Sequence, residues 1–205
     1  MYIPGYFSES NPDVLIKLIN DYSFGQLVTT VDGRPYASHL PFLADGDSDS
    51  LILHGHLAKA NPHWKSLENS ESLAIFQGPH TYISPTWFQS RGVPTWNYAA
   101  LHVYANVEII HNIEEKRDIV MKLSDKFEQG RASPWIPDFD ENLLNAIVGL
   151  RLSATRVEGK FKLSQNKART DQEGVINALQ SSTRENDVCI ARLMRKRLPV
   201  NSVAK

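Results

Sequence analysis

The segment Leu53–Trp64 reads LHGHLAKANPHW and gathers three histidines, a lysine and an asparagine into one run. Asn61 is a preferred N-cap residue, and Pro62 follows at the first helical position, where proline is best tolerated. A short helix is therefore expected over Pro62–Glu68. The first turn of a helix has N–H groups with no internal partner, at the positive end of its dipole. With Lys59 beside that end and His56 close by, the run reads as an anion site, best suited to phosphate. The simpler alternative is a surface helix capped by Asn61, with Lys59 in solvent. His54 and His56 are two apart and would share one face of a strand, as a pair of imidazole ligands would, with His63 approaching from the helix. No acidic residue or cysteine stands at a spacing that completes such a set, so no metal is expected.

A second group follows. The apolar run Leu73–Phe76 leads through Gln77-Gly78-Pro79 into His80–Ser84, which alternates like a strand. Trp87, Phe88, a Gly/Pro-bearing loop from Ser90 to Pro94, and Trp96-Asn97-Tyr98 come next. Rings among amide and hydroxyl side chains suit a flat ligand with a polar edge: rings stack on its faces, and Gln, Ser, Asn and Tyr bond its rim. The alternative is that these rings are ordinary core.

A third group lies near the end. Gly149–Val157 reads as a strand closing at Glu158-Gly159, followed by KFKLSQNK. Lys160 and Lys162 would share one face if extended. They offer donors for a phosphate or a hydroxylated chain, or they protect a solvated edge strand.

The elements that must position these groups are legible in part. Asn11-Pro12 opens a helix bearing Val14, Leu15, Leu18 and Ile19 and ending near Asp21. Phe24–Val31, the turn Asp32-Gly33 and the return Arg34–Leu43 read as a hairpin. Pro35 and Pro41 place the returning strand at an edge or a bulge. Asp45–Ser50 is a polar loop without the spacing of a calcium loop. Thr95–His111 is a long β segment. Asn112, with Glu115 in a capping box, opens a helix that stops at Gly130. Ser133–Pro137 is a connector, and Asp138–Ile147 a short helix. Thr170 with Glu173, and Ser182 with Glu185, read as capping boxes for two C-terminal helices over about residues 170–197. Their basic end, Arg192, Arg195, Lys196 and Arg197, invites a helix-turn-helix reading with DNA as partner. Positive residues also suit a helix C-terminus for dipole reasons, and packing on the rest of the chain is the expectation.

Six stretches resemble one family: MYIPGYF, FGQLVTTVDGRPYASHLPFL, LHGHLAKANPHWKSL, FQGPHTYISPTWF, VPTWNYAALHVY and EGKFKLSQNK. Together they are similar to the PaiB-type family, the FMN-binding negative transcriptional regulators, in order and spacing from Met1 to about Leu179. The resemblance implies an α+β fold, a mostly antiparallel split β-barrel with a helical C-terminus, similar to the pyridoxamine-phosphate-oxidase group. It implies an intertwined homodimer with FMN as cofactor at the subunit interface. On this reading His39, Leu40 and Pro41 lie along the flavin edge. Lys59 takes the phosphate, assisted by His56 and the backbone near Asn61. Gln77, Tyr82 and Ser84 line the ribityl path. Trp96 and Asn97 cover the ring system from one subunit or the other, and Lys162 and Gln165 complete the set. No catalytic residue stands out. Three functions stay open: a flavin-binding regulator, a flavin-dependent oxidoreductase, and a haem-handling protein.

Composition sets bounds. The chain has 205 residues and a formal net charge of -1, which argues against broad binding to nucleic acid through a basic face. One domain spanning residues 1–205 is expected. Cys189 is the lone cysteine, which excludes an internal disulfide, and no run is long and apolar enough for a membrane span. The N-terminus lacks a secretory pattern, so a cytoplasmic protein is expected.

Overall fold

The computed structural model describes residues 1–46, 50–68 and 70–198; residues 47–49 of the polar loop lie outside the described residues. The strands are β1 (Ser8–Glu9), β2 (Phe24–Val31), β3 (Arg34–Pro41), β4 (Leu43–Asp45), β5 (Ile52–Ala58), β6 (Ser72–Ile83), β7 (Thr95–Ile110) and β8 (Ile147–Lys162). They join in the order β3-β2-β6-β7-β8-β5-β4, with β1 paired to β8. The helices are α1 (Pro12–Asp21), α2 (Ile113–Glu128), α3 (Arg169–Gln180) and α4 (Glu185–Arg197).

The β2–β3 hairpin turns through Asp32 and Gly33, both at positive φ (51° and 73°). That is the backbone of a two-residue hairpin turn, and Asp and Gly are among the few residues that adopt it readily. The register runs from Val31 opposite Arg34 to Phe24 opposite Pro41. β3 stands at one end of the strand order, so Pro35 and Pro41 remove no interior ladder bond.

Two strands run further than local pattern predicts. β6 is one strand through Gln77-Gly78-Pro79, not two runs. Its burial alternates until Gly78 and Pro79, which are both buried, and the phase then slips by one. Gln77, His80 and Tyr82 therefore share the less buried face, although their spacing is not strictly two. β8 does not end at Glu158-Gly159 but continues to Lys162, pairing with β5 along Ile52–Ala58 and with β1 at Lys160. Lys160 is accordingly buried, not part of a solvated edge.

Several helix ends differ from expectation. The helix expected over Pro62–Glu68 is a five-residue 3-10 turn, Pro62–Ser66, and the one expected over Asp138–Ile147 is a 3-10 turn, Glu141–Ala146. Asn112 caps α2 by accepting from the N–H groups of Glu114 and Glu115. Glu115 turns its carboxylate to Arg151 at 2.7 Å and closes no capping box. α3 and α4 lack side-chain caps: Glu173 accepts from Arg169, and Ser182 accepts from the Arg184 N–H while donating to Asp187. Glu115 and Glu173 are drawn to arginines by charge-assisted bonds stronger than the neutral backbone bond of a capping box, while Ser182 serves a backbone N–H and Asp187 together.

The chain forms two compact units. The hairpin unit contains Ser10–Phe76 and Leu101–Glu158; the helical unit contains Met1–Glu9, Gln77–Ala100 and the residues from Gly159 on. Within the first, Leu27, Leu40, Phe42, Leu53, Phe76, Leu101 and Leu150 are fully or almost fully buried, and Phe42 meets Phe76 edge-on at 5.4 Å. Within the second, Val175, Ile176 and Leu179 of α3 and Ile190, Ala191 and Met194 of α4 are buried, and the two helices lie against each other. Among the described residues no helix is long and apolar enough to cross a membrane.

Candidate functional site

In the hairpin unit, Gly55 of β5 lets β3 approach closely. A Cβ there would stand 2.9 Å from Leu40 Cδ1 and 3.2 Å from the Pro41 carbonyl oxygen. Leu40 thus belongs to the core. His39 and Pro41 on β3, and His54 and His56 on β5, are one position off this contact and stand on the opposite faces of their strands. His39 is exposed, and its ring stacks with that of Phe24 at 6.3 Å. Phe24 lies opposite Pro41 and is 68% exposed. His56 is half-buried, and its Nδ1 has no hydrogen-bond partner among the described residues. Burial holds its imidazole below the ordinary histidine value. Lys59 follows the strand, exposed, and its ammonium group has no partner among the described residues.

Behind Lys59 sits a polar cluster that no local pattern announces. Asn61 Oδ1 accepts from the His63 N–H at 3.1 Å, which fixes its amide: Nδ2 faces Ser38 Oγ at 3.0 Å and donates to it. Ser38 Oγ is also 2.9 Å from His63 Nδ1. If the Ser38 hydroxyl donates to Nδ1, one buried group is left unmet, the N–H on Nε2. The other tautomer leaves two unmet, the hydroxyl and Nε2. The first arrangement is the cheaper one. The Tyr36 ring covers His63 at 4.6 Å, and its hydroxyl reaches Asn61 Oδ1 at 3.4 Å. The cluster holds the Pro62–Ser66 turn, and Lys59 O accepts from Trp64 Nε1 at 3.0 Å. Asn61 therefore positions Lys59. It does not present a helix dipole, which a five-residue turn with one N–H already capped cannot supply.

The helical unit places the remaining sequence-derived residues differently. Asn97 is fully buried, donating to Met194 Sδ at 3.4 Å and accepting from Ser164 Oγ at 3.1 Å. Gln165 folds onto its own turn, accepting from Leu163 N–H and donating to the Phe161 carbonyl. Ser84 caps the 3-10 turn Pro85–Trp87 and bonds Thr86 Oγ1 at 2.8 Å. Gln77 Nε2 meets His80 Nδ1 at 3.2 Å. Lys162 Nζ donates to Thr95 Oγ1 at 2.5 Å and to the Trp96 carbonyl at 2.6 Å. Tyr82 and Trp96 stay 45% and 52% exposed, with ring centres 6.4 Å apart.

Elsewhere in the hairpin unit, a groove of about 410 Å³ is lined by Asp45, His54, Glu115, Asp118, Lys122 and Arg151 among others. It takes none of the residues assigned above to the flavin, and Arg151 is committed to Glu108 and Glu115 at 2.6 and 2.7 Å.

The donor set on the hairpin unit fits FMN. An unpaired ammonium and an imidazole with a free buried nitrogen suit a phosphate, and an exposed aromatic ring suits a flat ring system. Sequence reading missed Phe24, although a two-residue turn at Asp32-Gly33 already pairs it with Pro41 by counting. It also missed Tyr36 and Ser38, whose contacts with Asn61 and His63 join segments more than twenty residues apart.

Comparison with known proteins identifies the family and the fold. A family model described as "Putative FMN-binding domain" matches residues 1–156. Protease synthase and sporulation protein PAI 2 of Bacillus subtilis (strain 168) is 37% identical over 204 residues, covering 97% of this chain and 98% of that protein. Two solved structures share the fold. Flavocytochrome Anf3 from Azotobacter vinelandii gives a TM-score of 0.64 at 15% identity, covering 78% of this chain and 72% of that one. The FAD and heme binding protein from Mycobacterium smegmatis gives 0.62 at 18%, covering 76% and 73%. The shared architecture is the α+β split β-barrel.

Proposed function

This chain belongs to the FMN-binding domain family, an FMN-binding protein of the PaiB type, and we propose that Lys59 holds the phosphate of its FMN on the hairpin unit. The observation that carries the reading is the exposed Lys59 ammonium, three residues after His56 Nδ1, both without a hydrogen-bond partner among the described residues. Around it we assign His39, Pro41, His56 and the added Phe24 to the flavin. Leu40 and Asn61 act as positioning residues, through Gly55 and through the Ser38–His63 cluster. Gln77, Ser84, Asn97 and Gln165 hold their own unit together. When bound, FMN supplies electron transfer, and the protein supplies placement.

The test is a titration of apo-protein with FMN and with riboflavin. A charge-assisted contact of this kind makes Lys59→Ala weaken FMN by roughly 10- to 100-fold. Riboflavin, which lacks the phosphate, should bind unchanged. Equal loss on both ligands, or on neither, moves the phosphate to Lys162. A visible spectrum with a strong Soret band in place of flavin bands would favour the haem reading.

The chain is read as one FMN-binding domain, because β6, β7 and β8 each contribute to both units, and as a cytoplasmic homodimer that represses transcription. A split barrel of this kind leaves its flavin groove half built in one subunit, so a twofold partner completes it. Light scattering at micromolar concentration should report a dimer with FMN bound. DNA contact through α3 and α4 is not part of the reading. Arg195 donates to Gln180, and Arg197 pairs with Glu9 over the Phe161 ring, so half of the basic end is spent within its own unit. A sequence-specific mobility shift that disappears on neutralising Arg192, Arg195, Lys196 and Arg197 would overturn this last point.

A further inference from the structure

Three neighbouring strands of the helical unit present one face. β6 contributes His80 and Tyr82, β7 contributes Trp96 and Tyr98, and β8 contributes Lys160 and Lys162. The phase slip at Gly78-Pro79 brings His80 and Tyr82 onto it. The His80 ring lies 6.1 Å from that of Trp96 at a shallow 32°, and the Tyr82 ring meets Trp96 edge-on. One end of the face is therefore a set of rings, Tyr82 and Trp96 exposed and His80 half-buried. The other end is cationic. Lys160 is buried under Tyr2, donating to its carbonyl at 2.8 Å, and is 5.5 Å from the Tyr98 ring. Lys162 is half-buried and anchored to Thr95 and to the Trp96 carbonyl. Burial, and then the like charges of Lys160 and Lys167, hold its ammonium below the ordinary lysine value. Neither Lys160 nor Lys162 has a carboxylate partner among the described residues.

We propose that this face binds a planar aromatic carboxylate, its ring against Trp96 and Tyr82 and its carboxylate on Lys162. The ammonium of Lys162 has three donors, and two are committed. One remaining donor suits a carboxylate better than a phosphate dianion. Exposed rings at one end and an unneutralised cation at the other recognise a flat ring with one negative group. The site rests on the flavin reading that places the FMN phosphate on Lys59: it gives Tyr82, Trp96 and Lys162, which the family resemblance sets at the flavin, to a second ligand.

The experiment is calorimetric titration of the FMN-loaded protein with 4-hydroxybenzoate, cyclohexanecarboxylate and benzyl alcohol. The first probe should bind, and the other two, lacking the ring or the charge, should bind at least about tenfold more weakly. Lys162→Met should weaken 4-hydroxybenzoate by roughly 10- to 100-fold and leave benzyl alcohol unchanged. Lys162→Arg should restore most of the loss. Trp96→Leu removes an exposed ring, so the fold is kept, and it should weaken both ring probes. No binding of 4-hydroxybenzoate at millimolar concentration overturns the proposal. So does binding indifferent to both Lys162→Met and Trp96→Leu. Displacement of the probe by added FMN would identify the flavin itself as the occupant and overturn it equally. The riboflavin comparison on Lys59 is untouched by any of these results.

Discussion

The hairpin unit and the helical unit treat polar side chains in opposite ways. Every buried side-chain atom without a partner among the described residues lies in the hairpin unit: His56 Nδ1, His63 Nε2, Ser72 Oγ and His102 Nδ1. In the helical unit, the buried side-chain polar groups of the described residues are satisfied. Asp171 accepts from the Gln89 and Ser90 N–H groups and from the Ser90 hydroxyl, and Asp187 accepts from Thr81 and Ser182. What that unit leaves open is aromatic. An unmet buried polar atom costs free energy, so it is tolerated where something else uses it. Residue type alone does not separate the two cases. Asn61 and Asn97 are the same side chain, one beside an unpaired lysine and the other locked between Ser164 and Met194.

The largest effect that tests this contrast is on flavin affinity. Lys59→Ala should cost FMN binding roughly 1.5–3 kcal/mol. Trp96→Leu, on the other unit, should change FMN affinity by no more than about twofold, as expected for independent sites. Equal losses in both variants would erase the distinction.

Next comes stability. Asn97→Ala leaves Ser164 and Met194 facing a buried gap and should lower unfolding free energy by about 1–3 kcal/mol, with FMN affinity retained in the folded fraction. A urea titration at neutral pH reads this. Asn61→Ala removes a cap and the bond to Ser38, and should cost about 1 kcal/mol of stability. Its FMN loss should be smaller than that of Lys59→Ala. Loss of affinity without loss of stability would make Asn61 a direct ligand.

The smallest effect is a pH dependence confined to the hairpin unit. Burial, as the first cause, holds His54, His56, His63 and His102 below the ordinary histidine value. The unfolded chain then binds more protons than the native one at mildly acid pH. The stability from keeping these rings neutral is full above the unfolded value of about 6.5 and is lost as pH falls from there toward the native values. Hydrogen exchange at pH 7.5 and 5.5 should show β3 and β5 losing protection first. His63→Gln should flatten part of the slope. An acid response equal in α3 and α4 would contradict the assignment.

Local chemistry decided more of this molecule than its length suggests. Asn11-Pro12, Asp32-Gly33 and Asn112 each act through bonds to residues two to four positions away, so the start of α1, the hairpin turn and the start of α2 were written into adjacent residues. The family was legible for the same reason: its motifs are contiguous runs. Tertiary structure alone decided three other things. β8 continues through Glu158-Gly159, where Glu9 of β1 pairs with Gly159, and β6 continues through Gly78-Pro79 with a slip in its phase of burial. The helix expected after Asn61 stops at Ser66, since His63 is held by Ser38 on a distant strand. The candidate residues divided between an unpaired set and a satisfied set only once their partners were in place. Gln77, Ser84 and Gln165 bond residues two to four positions away, whereas Asn97 meets Ser164 and Met194 at separations of 67 and 97 residues, and no window of sequence contains both members of such a pair.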